Sequence, residues 1–187
     1  MEGYRNISGI DLSKEQLEIA KRMSVEEIEE ANLFEYLSKH PEEYEMITAN
    51  DIIEYLPKDE VLKFLDTICR ALQPGGRVLI RTVNASSLFG AATAYADFAH
   101  EQGFTPVSLA QVLRVCGFEN IAIHRDASLA HDFMSLLRVC LWKITKLFLK
   151  SYLTIEAGTG RGLWKQAVIL EPRMTAIGRK PSFKKSL

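Results

Sequence analysis

The chain has 187 residues, of which 47% are hydrophobic and 25% charged, and its formal net charge is −1. This length and apolar content suffice for one substantial core, whereas two domains would each be thin, so we predict a single domain over residues 1–187. The lack of a basic patch interleaved with aromatic residues argues against a nucleic-acid-binding protein.

Signals for export, membrane insertion and metal binding are weak. The first residues, MEGYRNISGID, do not have the pattern of a secretory signal, and charged residues interrupt the longest apolar stretch. The cysteines are widely spaced, without a C-x-x-C pair: Cys69, Cys116 and Cys140. We therefore expect a cytoplasmic protein without a transmembrane span or a metal site, with its cysteines reduced and in the core.

The first predicted unit is a strand followed directly by a helix. Residues 7–10 form a short apolar run that ends at Asp11. Ser13 is a plausible N-cap with Gln16 three residues later, and apolar residues then recur at helical spacing. A weaker strand near residues 25–29 and a short helix that ends before Pro41 follow.

The middle of the chain gives the strongest pattern. A buried strand over residues 45–49 precedes an amphipathic helix over residues 58–72, which must end at the sequence QPGG. Its predicted inner stripe contains Val61, Leu62, Leu65, Ile68, Cys69 and Leu72. The sequence RVLIRTV is the next strand, and residues 84–104 then form a polar and aromatic loop too long for an ordinary connection, which predicts a lid on the substrate side.

The last third begins with a well-delimited helix. Thr105 is its N-cap, Pro106 occupies its first turn, and Gly117 ends it. NIAIH is a strand, residues 132–156 form a long amphipathic helix, and residues 166–179 form one or two strands interrupted at Pro172.

Strands that alternate with helices predict a mostly parallel sheet with helices on both faces. Ligands of such sheets bind beyond the carboxyl ends of the strands, which directs attention to Asp11, Asn32, Asn50 and Asp51. An acidic residue at a strand end can accept both hydroxyls of a ribose, or it can merely cap the next helix. For Asp11 alone the two interpretations are equally well supported.

Several sequence phrases occur together in a specific order. GIDLS is followed by DIIEYLP, a predicted helix, LQPGG and a strand. In this the chain resembles the class I S-adenosylmethionine-dependent methyltransferases, in particular small bacterial members similar to ubiquinone-biosynthesis and glycan-cluster methyltransferases. The resemblance implies a Rossmann-like α/β fold, a mostly parallel sheet with an antiparallel last strand, and S-adenosylmethionine as the cofactor.

The resemblance also implies which residues bind the cofactor. It places the ribose on Asp11, the adenine beside Leu12, and the methionine part near Asn50 and Asp51. Where the family commonly has an acid for the adenine amino group, this chain has Asn32, followed by Leu33. Because an amide is uncharged, we expect that contact to be weaker.

The acceptor-side candidates lie in AYADFAHEQGF, where we expect Tyr95, Asp97, His100 and Glu101 to converge. If the acceptor is a hydroxyl of a small molecule or glycan, His100 is the candidate general base, because an imidazole can take a proton near neutral pH. Alternatively, His100 and Glu101 only fix the loop. A non-catalytic binding or regulatory domain is the alternative function.

The family's first strand and Gly-rich turn have no counterpart before residue 6. The sequence EAGTGRG, with Gly158, Gly160 and Gly162, contains the only G-x-G-x-G, but it lacks the strand-turn-helix context. We expect an N-terminally incomplete fold rather than a circular permutation. The flanking strands would then have buried, unpaired edges, covered by rearrangement or in a homo-oligomer, and S-adenosylmethionine binding would be weak or absent.

The long helix carries basic residues on one arc, opposite an apolar arc. The basic residues are Arg138, Lys143, Lys146 and Lys150, and the apolar ones are Leu137, Leu141, Ile144 and Phe148. This pattern fits peripheral contact with a membrane, or a solvated face on a helix that packs over the core.

Overall fold

The computed structural model describes residues 6–25, 27–126, 132–157 and 169–182. Its elements follow the predicted alternation of strands and helices, with a 3-10 turn at Ile53–Tyr55. In chain order they are β1 (Gly9–Asp11), α1 (Lys14–Arg22), β2 (Ile28–Glu30), α2 (Leu33–Ser38), β3 (Tyr44–Asn50), α3 (Lys58–Ala71), β4 (Leu72–Val83), α4 (Gly90–Ala94), α5 (Pro106–Val115), β5 (Glu119–Arg125), α6 (Phe133–Ala157) and β6 (Arg173–Arg179). EAGTGRG lies outside the described residues.

The strands of the described ranges form two separate sheets. β1 and β2 pair in parallel, and the larger sheet has the order β3-β4-β6-β5. β3 is parallel to β4, whereas β6 is antiparallel to both β4 and β5, so that β3, β4 and β5 run in one direction. The predicted α/β fold with an antiparallel last strand is confirmed.

One hydrophobic core lies between the larger sheet and the helices α3 and α5. α3 contributes Val61, Phe64, Leu65, Ile68 and Ala71, and α5 contributes Leu109 and Leu113. Leu62, predicted to face inward, is 42% exposed. At 100° per residue it lies on the flank of the stripe formed by residues 61, 65 and 68, and Phe64 occupies the opposite flank inside the core.

The helix boundaries come from local sequence. The Ser13 hydroxyl accepts a hydrogen bond from the backbone N–H of Gln16 at 3.3 Å, as predicted. Thr105 and Ser108 form a reciprocal capping box at the start of α5. Gly117, with φ of 86°, follows the C-cap of that helix in a left-handed conformation.

Several strand boundaries differ from prediction, and β2 and β4 show this most clearly. β2 begins at Ile28, three residues later than expected. β4 begins at Leu72, so QPGG ends α3 but lies within the strand, where the pairing with β3 shifts register between Tyr44 and Met46. The irregular register accommodates the left-handed φ of 81° at Gly75.

The edges of β1 and β3 are exposed, which corrects the expectation of buried edges. Among the residues of β3 only Ala49 is fully buried, and Met46 is 43% exposed. Within the described part of the chain, β1 pairs only with β2, and β3 only with β4. Whether a second copy covers these edges stays a prediction.

α6 departs most from its expected packing. Its apolar residues Leu137, Leu141, Ile144 and Phe148 face solvent, so the interpretation as a helix packed over the core by this arc is wrong. Cys140 on the same helix is also exposed and not a core residue. Within the described ranges, no helix is long and apolar enough to cross a membrane.

Candidate functional site

Among the described residues, two clefts lie beyond the carboxyl ends of strands. The first follows β2 and is lined by Glu29, Glu30, Ala31, Asn32, Glu35, Tyr36 and Lys39. The second, of about 230 Å³, lies where β3 and β4 end and is closed on one side by the loop after α4. It is lined by Asp51, Glu54, Tyr55, Val83, Thr93, Ala96, Asp97, His100 and Arg173.

The residues predicted to hold ribose and adenine each use one side-chain oxygen in local hydrogen bonds to the backbone, and Asn32 is the N-cap of α2. Asp11 Oδ1 accepts a hydrogen bond from Ser13 N at 2.7 Å. Asn32 Oδ1 accepts hydrogen bonds from the N–H groups of Phe34, at 2.9 Å, and Glu35, at 3.4 Å. Both side chains are exposed, as is Leu12, whereas Leu33 packs against the core.

Asp51 lies at the end of β3, in a left-handed conformation with φ of 52°. Its Oδ2 accepts a hydrogen bond from Arg81 Nη2 at 2.6 Å and lies 3.8 Å from Arg173 Nη1. Its Oδ1 is buried and has no hydrogen-bond partner among the described residues. One carboxylate oxygen is therefore held by arginine, and the other remains as an acceptor. The preceding Asn50 is exposed.

His100 is held in one orientation by a backbone contact. Its Nδ1 lies 2.6 Å from the carbonyl oxygen of Ala94. Because a carbonyl only accepts, Nδ1 carries the proton, and Nε2 of the neutral ring has the free lone pair. The ring contacts Tyr55 edge-on, with centroids 4.6 Å apart.

A second contact joins Tyr55 to the predicted loop. The Tyr55 hydroxyl donates to Asp97 Oδ2 at 3.1 Å, and Asp97 Oδ1 accepts from Ala99 N at 2.9 Å. The hydrogen bond from Ala99, helped by that from Tyr55, lowers the pKa of Asp97. Burial and the bond to Asp97 raise the pKa of Tyr55.

Glu54 is a site residue that sequence reasoning missed, although it lies in the quoted phrase DIIEYLP. It is 1% exposed, and its Oε2 accepts a hydrogen bond from Thr82 Oγ1 at 2.9 Å. Its backbone oxygen accepts from the N–H groups of Glu101, at 2.9 Å, and Gln102, at 3.3 Å. Burial raises the pKa of its carboxyl group. Glu54 thus connects β4 to the acceptor-side loop.

Asn84 is a second unforeseen residue. Its fully buried amide donates to the carbonyl oxygens of Ile169, at 2.7 Å, and Glu171, at 2.9 Å. Its Oδ1 accepts from the backbone and hydroxyl of Ser86. Asn84 directly follows the predicted strand RVLIRTV, but only the fold shows that it joins the end of β4 to the segment before β6.

The second cleft therefore brings together Asp51, Asp97 and His100 from the predicted set. Asn32 lies in the first cleft. Tyr95 is largely exposed and Glu101 bonds to Glu54 through its backbone, and neither lines the second cleft.

Comparison with known proteins agrees with this architecture. A family model described as "Methyltransferase domain" matches residues 1–123. A ubiquinone biosynthesis O-methyltransferase of Aeromonas salmonicida is 32% identical over 85 residues, which is 42% of this chain and 34% of that protein. The match thus spans about a third of the length of that relative.

Solved structures share the fold at low sequence identity. An S-adenosylmethionine-dependent methyltransferase of Archaeoglobus fulgidus superposes with a TM-score of 0.63 at 17% identity, over 92% of this chain and 75% of that one. Phosphoethanolamine N-methyltransferase 2 of Haemonchus contortus, solved with S-adenosylmethionine, superposes with a TM-score of 0.55 at 18% identity, over 93% of this chain and 43% of that one. The chain belongs to the methyltransferase-domain family and has the fold of the S-adenosylmethionine-dependent class I methyltransferases.

Proposed function

We propose that the chain is an S-adenosylmethionine-dependent O-methyltransferase that acts on a hydroxyl of a small molecule. The observation that carries this proposal is the orientation of His100 in the second cleft, where the Nδ1–H bond to Ala94 leaves Nε2 as a proton acceptor. The relatives named as ubiquinone biosynthesis O-methyltransferases support the same reaction class.

The residues of both clefts fit the cofactor. S-adenosylmethionine offers ribose hydroxyls and an ammonium group as donors, and this chain supplies matching acceptors. Asp51 Oδ1 is buried without a partner in the described part of the chain, which suits it to accept from an ammonium group. Asp11 is exposed at the end of β1, and the first cleft carries Glu29 and Glu30.

Bound S-adenosylmethionine supplies an electrophilic methyl group. In the proposed reaction Nε2 of His100 would take the hydroxyl proton of the acceptor, and the acceptor oxygen would receive the methyl group with S-adenosylhomocysteine as the leaving product. Asp97 and the Tyr55 ring hold the loop and the imidazole in position. Glu54 acts indirectly, because its backbone oxygen fixes the amides of Glu101 and Gln102.

The segment beside the second cleft favours an aromatic acceptor. It exposes large apolar side chains: Leu88, Phe89, Tyr95 and Phe98. Such side chains bind a phenolic ring by burying its faces, whereas they contribute little to the binding of a heavily hydroxylated glycan. A small phenol is therefore the proposed acceptor, and a glycan hydroxyl has less support.

The cofactor affinity is expected to be low. The strands that carry the predicted cofactor residues, β1 and β3, belong to separate sheets, and no ladder among the described residues fixes one relative to the other. Asp11 and Asn32 also use one oxygen each in local hydrogen bonds to the backbone. These two observations favour a dissociation constant above the low micromolar range. They also support the alternative function, a non-catalytic binding domain.

An assay of labelled methyl transfer tests the proposal. Full-length protein is incubated with millimolar S-adenosylmethionine and simple catechols, and cofactor binding is followed in parallel by equilibrium dialysis. We expect methyl transfer by the wild type and, in His100→Ala, a loss of about a hundredfold in turnover with binding retained. The matched control is His124→Ala, which removes an exposed histidine of β5 that does not line the cleft.

Three results would count against the proposal. Cofactor binding without transfer to any hydroxyl would favour the non-catalytic alternative. Unchanged turnover in His100→Ala would remove this residue from the mechanism. Equal losses in His100→Ala and His124→Ala would mean that the effect is not specific to the cleft.

A further inference from the structure

The helix α6 turns an apolar face toward solvent. We propose that α6 docks on an anionic lipid surface and lies in the plane of the membrane interface. This inference is independent of the methyl-transfer chemistry, since it rests on the exposure, charge and anchoring of the helix alone.

The helix has two distinct faces. The less exposed residues recur every three or four positions, which defines an inner face directed at the protein: Ser135, Val139, Trp142, Lys146 and Leu149. The opposite face consists of large apolar side chains that are all at least 45% exposed: Phe133, Leu137, Leu141, Ile144, Phe148 and Ile155. An exposed patch of this kind marks an interaction surface.

The inner face is anchored by a well-shielded ion pair. Lys146 Nζ donates to Glu171 Oε1 at 2.8 Å, with the two side chains only 16% and 11% exposed. Burial is the largest single influence and raises the pKa of Glu171, but the hydrogen bond from Lys146, a backbone hydrogen bond and the charges of Lys146 and Arg125 together hold the pKa below its usual value. Because Lys146 belongs to the inner face, this pair holds that face toward the segment before β6, and the apolar face lies on the opposite side of the helix.

The positive charges that flank the apolar face indicate which kind of partner binds there. Lys143 and Lys150 lie between the inner face and the apolar face on one side of the helix and Arg138 lies between them on the other side, and all three are exposed. No acidic group occurs among the described side chains of α6. Asp132 lies just before the helix, and its Oδ1 accepts a hydrogen bond from the backbone N–H of Ser135. An apolar face flanked by cations matches an anionic lipid surface, because the lipid tails can bury the apolar side chains and the anionic headgroups can pair with the cations.

A second copy of the chain is a less suitable occupant. Two such faces placed against each other would bring their cationic borders together, because each border carries only positive charge among its described side chains. A membrane span is also not indicated, since no described helix can cross a bilayer. At 25 residues, the helix would lie along the interface for roughly 37 Å.

Vesicle flotation of the full-length protein tests the proposal. We expect the protein to bind vesicles of phosphatidylcholine with phosphatidylglycerol and to bind vesicles of phosphatidylcholine alone only weakly. Binding to the anionic vesicles should weaken as the salt concentration is raised. The double variant Ile144→Asp and Phe148→Asp should reduce partitioning by about tenfold or more, because two exposed apolar anchors are replaced by anions. The control for the apolar change is Val115→Asp, an exposed apolar residue of α5.

Charge-reversal variants measure the electrostatic contribution to vesicle binding. Lys143→Glu with Lys150→Glu should reduce binding by about tenfold or more, whereas Lys39→Glu with Lys58→Glu, which changes the net charge equally at other exposed sites, should have a much smaller effect. Circular dichroism shows that each variant retains its fold.

The proposal is overturned if the wild type does not float with anionic vesicles, or if the aspartate variants float as well as the wild type. It is also overturned if sedimentation shows a dimer that the same aspartate variants dissociate while vesicle binding is absent. That result would assign the face to a second copy.

Discussion

Glu54 is a buried carboxyl group whose titration should affect stability. Because burial raises its pKa above 4.5, the folded state holds the proton more tightly than the unfolded state. The stability that Glu54 contributes is thus fully present below the unfolded pKa and is lost as pH rises through the folded pKa. We expect Glu54→Gln to become more stable relative to the wild type between about pH 5 and about pH 8.

Urea denaturation at the two pH values measures this difference. Any effect of the amide on the free energy of unfolding that does not depend on pH cancels in the comparison, because it is the same at both pH values. A stability difference between the two proteins that does not change with pH would contradict the assignment of a raised pKa.

Asn84 supports four hydrogen bonds at a fully buried position. Asn84→Ala should lower the free energy of unfolding by about 2 to 4 kcal/mol, because buried carbonyl groups lose their donor. Ser86→Ala, which removes only the hydroxyl contact, should cost about 1 kcal/mol in the same denaturation experiment. Equal effects of the two changes would show that the bonds to Ile169 and Glu171 contribute little.

Residues with local roles were predictable, and residues with distant partners were not. Ser13 and Thr105 cap the helices that the sequence predicts, because their partners lie three residues away. Glu54 and Asn84 pair with groups 28 and 85 positions away, respectively. No local pattern specifies such contacts.

The helix α5 offers a test at the level of one element. Thr105 accepts from Ser108 N at 3.1 Å within a capping box, and α5 buries Leu109 and Leu113 in the core. Thr105→Ala should lower the free energy of unfolding by about 1 kcal/mol. Ser13→Ala on the mostly exposed α1 should cost less than half of that, because the helix contributes only Leu17 to buried positions. A larger loss of unfolding free energy in Ser13→Ala than in Thr105→Ala, measured by urea denaturation, would contradict this ranking.

Element type was easier to predict than element environment. The strand-helix alternation and the stop at Gly117 follow from periodicity and turn residues. The apolar arc of α6 faces solvent, and the Lys146–Glu171 pair that holds the opposite face joins residues 25 positions apart. An amphipathic pattern does not state which face meets the protein, and the prediction failed there.

The two sheets should differ in local stability. β4 is hydrogen-bonded on both sides, by β3 and β6, whereas the β1–β2 sheet has three residues in each strand. Hydrogen exchange should show the slowest amides in β4 and much faster exchange, by about a hundredfold or more, in β1 and β2. Equal protection in both sheets would mean that they unfold as one cooperative unit.

The fold of the whole molecule was predictable because several phrases in a fixed order specify it, and the family match and the superposed structures confirm it. The clefts were predictable only in part. The carboxyl ends of the strands located them, but which side chains meet in one cleft depends on how the loop after α4 folds back on Glu54. Tyr95 and Glu101 illustrate this, since they neighbour Asp97 and His100 in sequence and do not line the cleft.

The central claim is that this fold transfers a methyl group from S-adenosylmethionine to oxygen. The most direct measurement uses carbon-13-labelled methyl donor and 2-aminophenol, which offers a hydroxyl and an amine on one ring, with the product identified by mass spectrometry and NMR. We predict the label in an O-methyl group. Label on nitrogen, or no labelled product while dialysis shows bound cofactor, would contradict the claim.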